Sequence, residues 1–95
     1  MGASATVGGG GYNKAAGDTA TVGGGEYNTA SAAHATVAGG VLNSASHNYA
    51  TVVGGMANAA TFNYSTVNGG GYNLAAKAYA TVRSSSSRSF RHPQP

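Results

Sequence analysis

The chain has no cysteine and no tryptophan, only two prolines, and only two acidic residues among its ninety-five. Without cysteine, neither disulfides nor thiolate metal sites can staple the fold, and the redox compartment is left open. The two acids, Asp18 and Glu26, stand in unrelated contexts. That excludes a paired-carboxylate active site and the calcium-binding repeats that need an Asp recurring after glycines. Positive charge is also sparse: Lys14 and Lys77 balance the two acids, and Arg83, Arg88 and Arg91 all lie near the C-terminal end. A neutral body does not suit a nucleic-acid surface, which needs many Lys and Arg on one face. No apolar run approaches membrane-spanning length, so no membrane insertion is expected. Met1 leads directly into the repeats, as in a chain made without a secretion signal or in a piece of something longer.

Large apolar side chains are equally scarce. Between residues 5 and 82 they comprise eight Val, Leu42, Leu74, Met56, Phe62 and six Tyr. A globular core of the usual kind cannot be built from so few.

What the chain does have is a metronome. The triplet Ala-Thr-Val returns every fifteen residues, beginning at Ala5, Ala20, Ala35, Ala50 and Ala80, with Ser65 opening the fifth copy. Five full units run from 5 to 79, and a sixth begins at Ala80. Numbering each unit from its first Ala, six positions never vary: Thr at 2, Val at 3, Gly at 5 and 6, Asn at 9 and Ala at 11. A strict short period means one structural unit stacked on copies of itself. Any function then resides in columns of side chains, not in a pocket.

Fifteen residues with two fixed glycines cannot hold a pair of helices and their turns, and a helix would lose about 1 kcal/mol per glycine. The pattern therefore predicts an all-β fold, a parallel β-solenoid of fifteen-residue coils. One strand is expected around Ala-Thr-Val and a second around Tyr-Asn-x-Ala-x. Gly-Gly makes one corner and the variable stretch after the second strand makes the other. Alternation places Val and the first Ala inward with Thr outward, and Asn and Ala of the second strand inward with Tyr outward. Residues 1–4 read as a lead-in, 5–82 as five to six coils, and 83–95, rich in Ser and Arg with two prolines, as a disordered tail.

The unit A-T-V-x-G-G-x-Y-N-x-A-S, over residues 3–82, resembles the head repeats of trimeric autotransporter adhesins of the YadA type. It is also similar to repeats of phage and bacterial tail fibres. The present unit is one residue longer than the usual family unit, with an extra Gly in the turn. The resemblance implies a left-handed β-roll, three chains around a threefold axis, and an extracellular, cell-surface or virion fibre as the setting.

Several columns qualify as contact sites. The asparagines Asn13, Asn28, Asn43, Asn58 and Asn73 are expected to form a structural ladder, carboxamide bonded to carboxamide from coil to coil. The outward threonines Thr6, Thr21, Thr36, Thr51, Thr66 and Thr81 form a row that resembles the ice-binding face of insect antifreeze solenoids. Tyrosines fall in two partial columns, Tyr12, Tyr27 and Tyr72 in one, and Tyr49, Tyr64 and Tyr79 in the other. They are expected to cover the small core or seal a contact between chains, with sugar stacking as the alternative.

Signals for chemistry are weak. Gly8–Gly11 resembles a phosphate loop only at a glance, because G-x-x-x-x-G-K-[ST] is not satisfied. His34 and His47 stand at different positions of adjoining units and bring no further ligands at metal spacing. Asn63-Tyr64-Ser65 spells a glycosylation sequon. No enzyme, cofactor or metal is expected. The sequence points to a structural or adhesive repeat segment of a fibre, with itself as partner and a host-surface protein or glycan as a further one. Alternatives are a subunit that stacks end to end into a filament, and an ice-binding solenoid.

Overall fold

The computed structural model describes residues 3–83, 85–86 and 89–90, and over them the chain is a parallel β-solenoid of about five turns. One sheet is formed by Thr6–Val7, Thr21–Val22, Thr36–Val37, Thr51–Val52, Thr66–Val67 and Thr81–Val82 in sequence order, each paired in parallel with the same two residues of the next coil. A second sheet stacks Lys14–Ala15, Thr29–Ala30, Ser44–Ala45, Ala59–Ala60 and Leu74–Ala75 in the same way. The register offset is therefore fifteen residues everywhere, which puts every position of the unit in a column. A third and narrower ladder, missed in the two-strand reading, consists of single bridges Gly11↔Glu26↔Val41↔Met56↔Gly71. It sits at position 7, between the glycines and the asparagine.

The expected burial pattern holds. The core consists of Val at position 3 and Ala at positions 1 and 11, fully buried in every interior coil. Among the described residues no larger apolar side chain is buried. Ser65, where a position-1 Ala is replaced, is also buried, and its hydroxyl is satisfied locally by donating to the Phe62 carbonyl at 2.6 Å. The hydroxyl of the spelled sequon is thus in the core.

The second strand is shorter than expected. Tyr and Asn precede it, and only positions 10 and 11 pair as strand. The physical reason lies in the backbone. Position 8, held by Tyr12, Tyr27, Leu42, Ala57 and Tyr72, adopts φ of 57° to 59°, in the left-handed region. A residue there turns the chain instead of extending it. Position 15 does the same, with φ of 54° to 63° at Thr19, His34, Tyr49, Tyr64 and Tyr79.

These two corners also reverse the direction of hydrogen bonding. Beside the strands, N–H groups donate to the following coil, as in Thr21 to Ala35 and Gly23 to Val37, both 2.9 Å. At the corners they donate to the preceding one, as in Tyr27 to Gly11 at 3.0 Å and Tyr64 to Asn48 at 3.0 Å. Each position-15 corner closes with a turn, from the position-1 N–H to the position-13 carbonyl, at 3.0–3.1 Å. The start of the solenoid lies earlier than residue 5, because the Ala3 carbonyl accepts from Thr19 N–H at 2.8 Å and its N–H donates to the Asp18 carboxylate at 3.1 Å.

The expected disorder of 83–95 falls largely on residues outside the described ones. Of that segment, Ser85–Ser86 pairs with Gly70–Gly71 and Ser89–Phe90 with Leu74–Ala75, keeping the fifteen-residue offset past Val82.

Candidate functional site

The asparagine column lies inside the coil. Asn28, Asn43, Asn58 and Asn73 are at most 1% exposed, a burial that a polar carboxamide tolerates only when fully bonded. The bonding differs from the expected carboxamide chain. In Asn13, Asn28, Asn43 and Asn58 the Oδ1 accepts the backbone N–H of the next Asn, as from Asn43 to Asn28 at 3.0 Å and from Asn58 to Asn43 at 2.9 Å. The Nδ2 of the same four donates to two glycine carbonyls, for Asn43 those of Gly39 in its own coil at 2.9 Å and Gly55 in the next at 3.1 Å. The ladder thus ties side chain to backbone. The physical reason is the corner: the position-6 carbonyl, which already accepts the position-7 N–H of the preceding coil, has a second lone pair to offer, the position-5 carbonyl lies beside it, and a carboxamide has the two donors to meet both. Among the described residues no buried side-chain nitrogen or oxygen lacks a partner.

The glycine pair splits into two unlike positions. At position 6, Gly10, Gly25, Gly40, Gly55 and Gly70 take φ of 85° to 94°. A Cβ on Gly40 would stand 2.2 Å from the Gly55 carbonyl oxygen and 2.5 Å from the Asn43 amide nitrogen. Position 5 has no such restriction in the first four units, since a Cβ on Gly9, Gly24, Gly39 or Gly54 meets nothing within 4 Å; Gly69 has equal space but a φ of 157°. Nothing in the structure explains why position 5 is always glycine.

The threonine column Thr6, Thr21, Thr36, Thr51, Thr66 and Thr81 is in strict register on one sheet. Its interior members are half-buried and the two end members exposed. The neighbouring outward position, 4, holds Gly8, Gly23, Ala38, Val53 and Asn68. The face is therefore one threonine wide.

The tyrosines do not cover the core, which needs no cover: Val and Ala fill it. They stand at the two left-handed corners, with Tyr12 81% exposed and Tyr49 and Tyr64 both 47% exposed. Because position 15 repeats in register, the rings stack on one another. Tyr49, Tyr64 and Tyr79 form a continuous column with centroids 4.9 and 5.0 Å apart and planes within 2° of parallel. At the other corner, Tyr12 and Tyr27 stack at 4.9 Å. Tyr72 has no stacked ring among the described residues, since the same position one coil earlier is Ala57. The stacked faces are turned toward each other, so what the column offers outward is ring edges. A sugar seeking an open aromatic face finds one only at the column ends.

From sequence the histidines stand out only as metal candidates, although His34 shares position 15 with the tyrosines of the longer column. His34 continues that column, stacked on Tyr49 at 4.7 Å and bonded to Thr19 through Nδ1 at 2.6 Å. The Thr19 hydroxyl also lies 2.7 Å from the Asp18 carbonyl. His47 stands at position 13, two positions earlier in the unit, and is stacked on Phe62 of the same column at 5.7 Å. The two histidines thus serve different columns. A second feature missed from sequence is an exposed apolar group near the glycine corner, formed by Leu42, Val53 and Met56, each about half exposed. Its members occupy three different positions of the unit, so no single column announces it. Comparison with family models and with curated proteins finds no match for this chain.

Proposed function

We propose that this chain is a structural or adhesive repeat segment of an extracellular fibre, assembled with copies of itself, most simply as a trimer. The observation that carries the reading is the inversion of the usual burial: among the described residues no apolar side chain larger than Val is buried, and the core consists of Val, Ala, Asn and one Ser. Such a coil stiffens a rod and displays columns; it encloses nothing. The repeat pattern's similarity to adhesin-head and tail-fibre units supports the same role, and multivalent weak contacts along a rod are the way such a display gains strength. A standard protein contact takes roughly 800 Å² per partner, so two contacts per chain in a ring would cover about a third of the 4906 Å² surface. A whole face, not one corner, must then be involved.

Sedimentation velocity of the full chain tests this. A discrete trimer is expected. Particles of graded length would replace the proposal with end-to-end filament growth, and a monomer at all concentrations would remove the assembly altogether. Ice binding has one observation in its favour, the in-register outward threonine row. Freezing hysteresis that disappears in Thr36→Ala and Thr51→Ala would establish it, and absence of hysteresis in the parent chain would dismiss it.

A further inference from the structure

We infer that the stacked tyrosines are a site of oxidative cross-linking, a place where adjoining coils can be joined by a covalent dityrosine bond. The chain has no cysteine to serve as a staple and no tryptophan to intercept oxidising equivalents. Its tyrosines are exposed to a solution oxidant, yet five of the six are already in contact with a second phenol: Tyr12 with Tyr27, and Tyr49, Tyr64 and Tyr79 in one column. Coupling joins ring edge to ring edge. That leaves the two centroids about two ring radii and one bond apart, close to the spacing already present, so the rings have to turn and scarcely have to travel. Both rings of each pair lie on the outside of a corner, where no core side chain opposes the turn.

The step balances with a haem peroxidase and hydrogen peroxide as the oxidising system. Each of two phenols gives up one electron and one proton, leaving two phenoxyl radicals. The radicals pair to form one carbon–carbon bond between positions ortho to the oxygens. Each new tetrahedral carbon then loses its proton while each oxygen regains one, which restores two aromatic phenols. Two hydrogens are lost overall, and the peroxide is reduced to two waters. The bond would add a covalent tie between one coil and the next at corners where hydrogen bonds and ring stacking connect them now.

Tyr72 supplies the internal control. It is 62% exposed, more than Tyr49 or Tyr64, but has no stacked neighbour among the described residues. If exposure alone governed coupling, Tyr72 would react ahead of Tyr27, Tyr49 and Tyr64. If stacking governs it, Tyr72 stays unlinked.

The full chain, prepared in two isotopic compositions and refolded as a mixture, is treated with peroxidase and peroxide, then digested and mapped by mass spectrometry. Expected are bridges 12–27, 49–64 and 64–79, each short of two hydrogens, each of a single isotopic composition, with the blue fluorescence of dityrosine. Tyr64→Phe should remove both bridges of the longer column and leave 12–27 in place. Ala57→Tyr, at a corner whose φ of 57° matches that of its tyrosine counterparts, should recruit Tyr72 through a new 57–72 bridge. Bridges of mixed isotopic composition, or Tyr72 of the parent chain linked as often as Tyr64, would overturn the inference. So would an absence of dityrosine under conditions that couple free tyrosine.

Discussion

Asparagine at position 9 and glycine at position 6 act as one device. The glycine's left-handed φ brings its carbonyl toward the preceding coil's asparagine, and the asparagine's amide takes up that carbonyl together with one from its own coil. Truncating Asn43→Ala leaves the buried Asn58 N–H and the Gly39 carbonyl without this partner, while the Gly55 carbonyl keeps the Val41 N–H at 3.0 Å. At about 1–3 kcal/mol for a group that stays buried and unbonded, a loss of about 1–3 kcal/mol is expected, read as a melting temperature lower by on the order of 10 °C. Thermal denaturation followed by circular dichroism checks it, and an unchanged melting curve would refute the ladder's role.

The two glycines of the pair should behave oppositely. Gly40→Ala places a methyl against a backbone oxygen and an amide nitrogen at a φ of 94°, so strong destabilisation or failure to fold is expected. Gly39→Ala meets open space and removes freedom from the unfolded chain, so its stability should be unchanged or raised by about 0.4–1 kcal/mol. The same denaturation curves, measured side by side, decide the matter. Equal damage from both would mean that position 5 has a requirement not visible in its contacts.

At the scale of the element, the coil is the unit of stability and its strands are secondary. A strand here is two residues long and could not persist alone. Its order comes from pairing above and below, so each coil depends on its neighbours' register more than on its own length. Deleting residues 35–49 joins His34 to Ala50, position 15 to position 1, and leaves every column intact. The shortened chain should keep its β spectrum and lose only the stability of one coil. Deleting Ser44 alone should do more harm per residue, since it brings Ala45 to the outward position 10 of that coil and breaks the spacing from Asn43. Circular dichroism and melting of the two deletions provide the comparison; greater damage from the fifteen-residue deletion would argue against coil-by-coil stability.

The left-handed corners show how the element uses residues against their preference. An L-residue at such φ costs roughly 1–2 kcal/mol, and bulky side chains seldom adopt it. Glycine or asparagine would sit there more cheaply. Stacking of rings at 4.7 to 5.0 Å returns about 0.5–1.5 kcal/mol per pair, and the corner N–H bonded to the preceding coil contributes further. The strain and the columns therefore belong together: the same turn that costs backbone energy is what projects the rings.

For the molecule over its described residues, a core of Val and Ala with no larger apolar side chain provides little burial per residue. Among these residues ten large apolar or aromatic side chains are left substantially in water. If copies assemble as proposed, part of that surface is removed from water and the melting temperature should rise with protein concentration. Scanning calorimetry over a hundredfold concentration range measures this, and a concentration-independent midpoint would contradict assembly coupled to folding.

The period, the coil length, the inward Val and Ala, the outward Thr and the buried Asn column were legible in the sequence, because each is a consequence of repetition. A residue fixed in every copy has the same neighbours above and below, and small invariant residues can only be packing or turning. The stacks were only half legible. Tyr49, Tyr64 and Tyr79 share a position, but their mutual contact depends on a left-handed corner that no residue there advertises. The asparagine's partners were misjudged for a related reason. Which groups face a carboxamide depends on where a turn leaves its carbonyls, a property of the path through space. The sequence by itself determined that fifteen-residue units stack in register, since the pattern of small residues and glycines admits no other economical packing. Only the tertiary structure decided that position 8 turns instead of extending, that a third ladder exists at position 7, and that the rings lie face to face. Those facts depend on backbone angles set jointly by two coils, and a single coil's residues do not encode them.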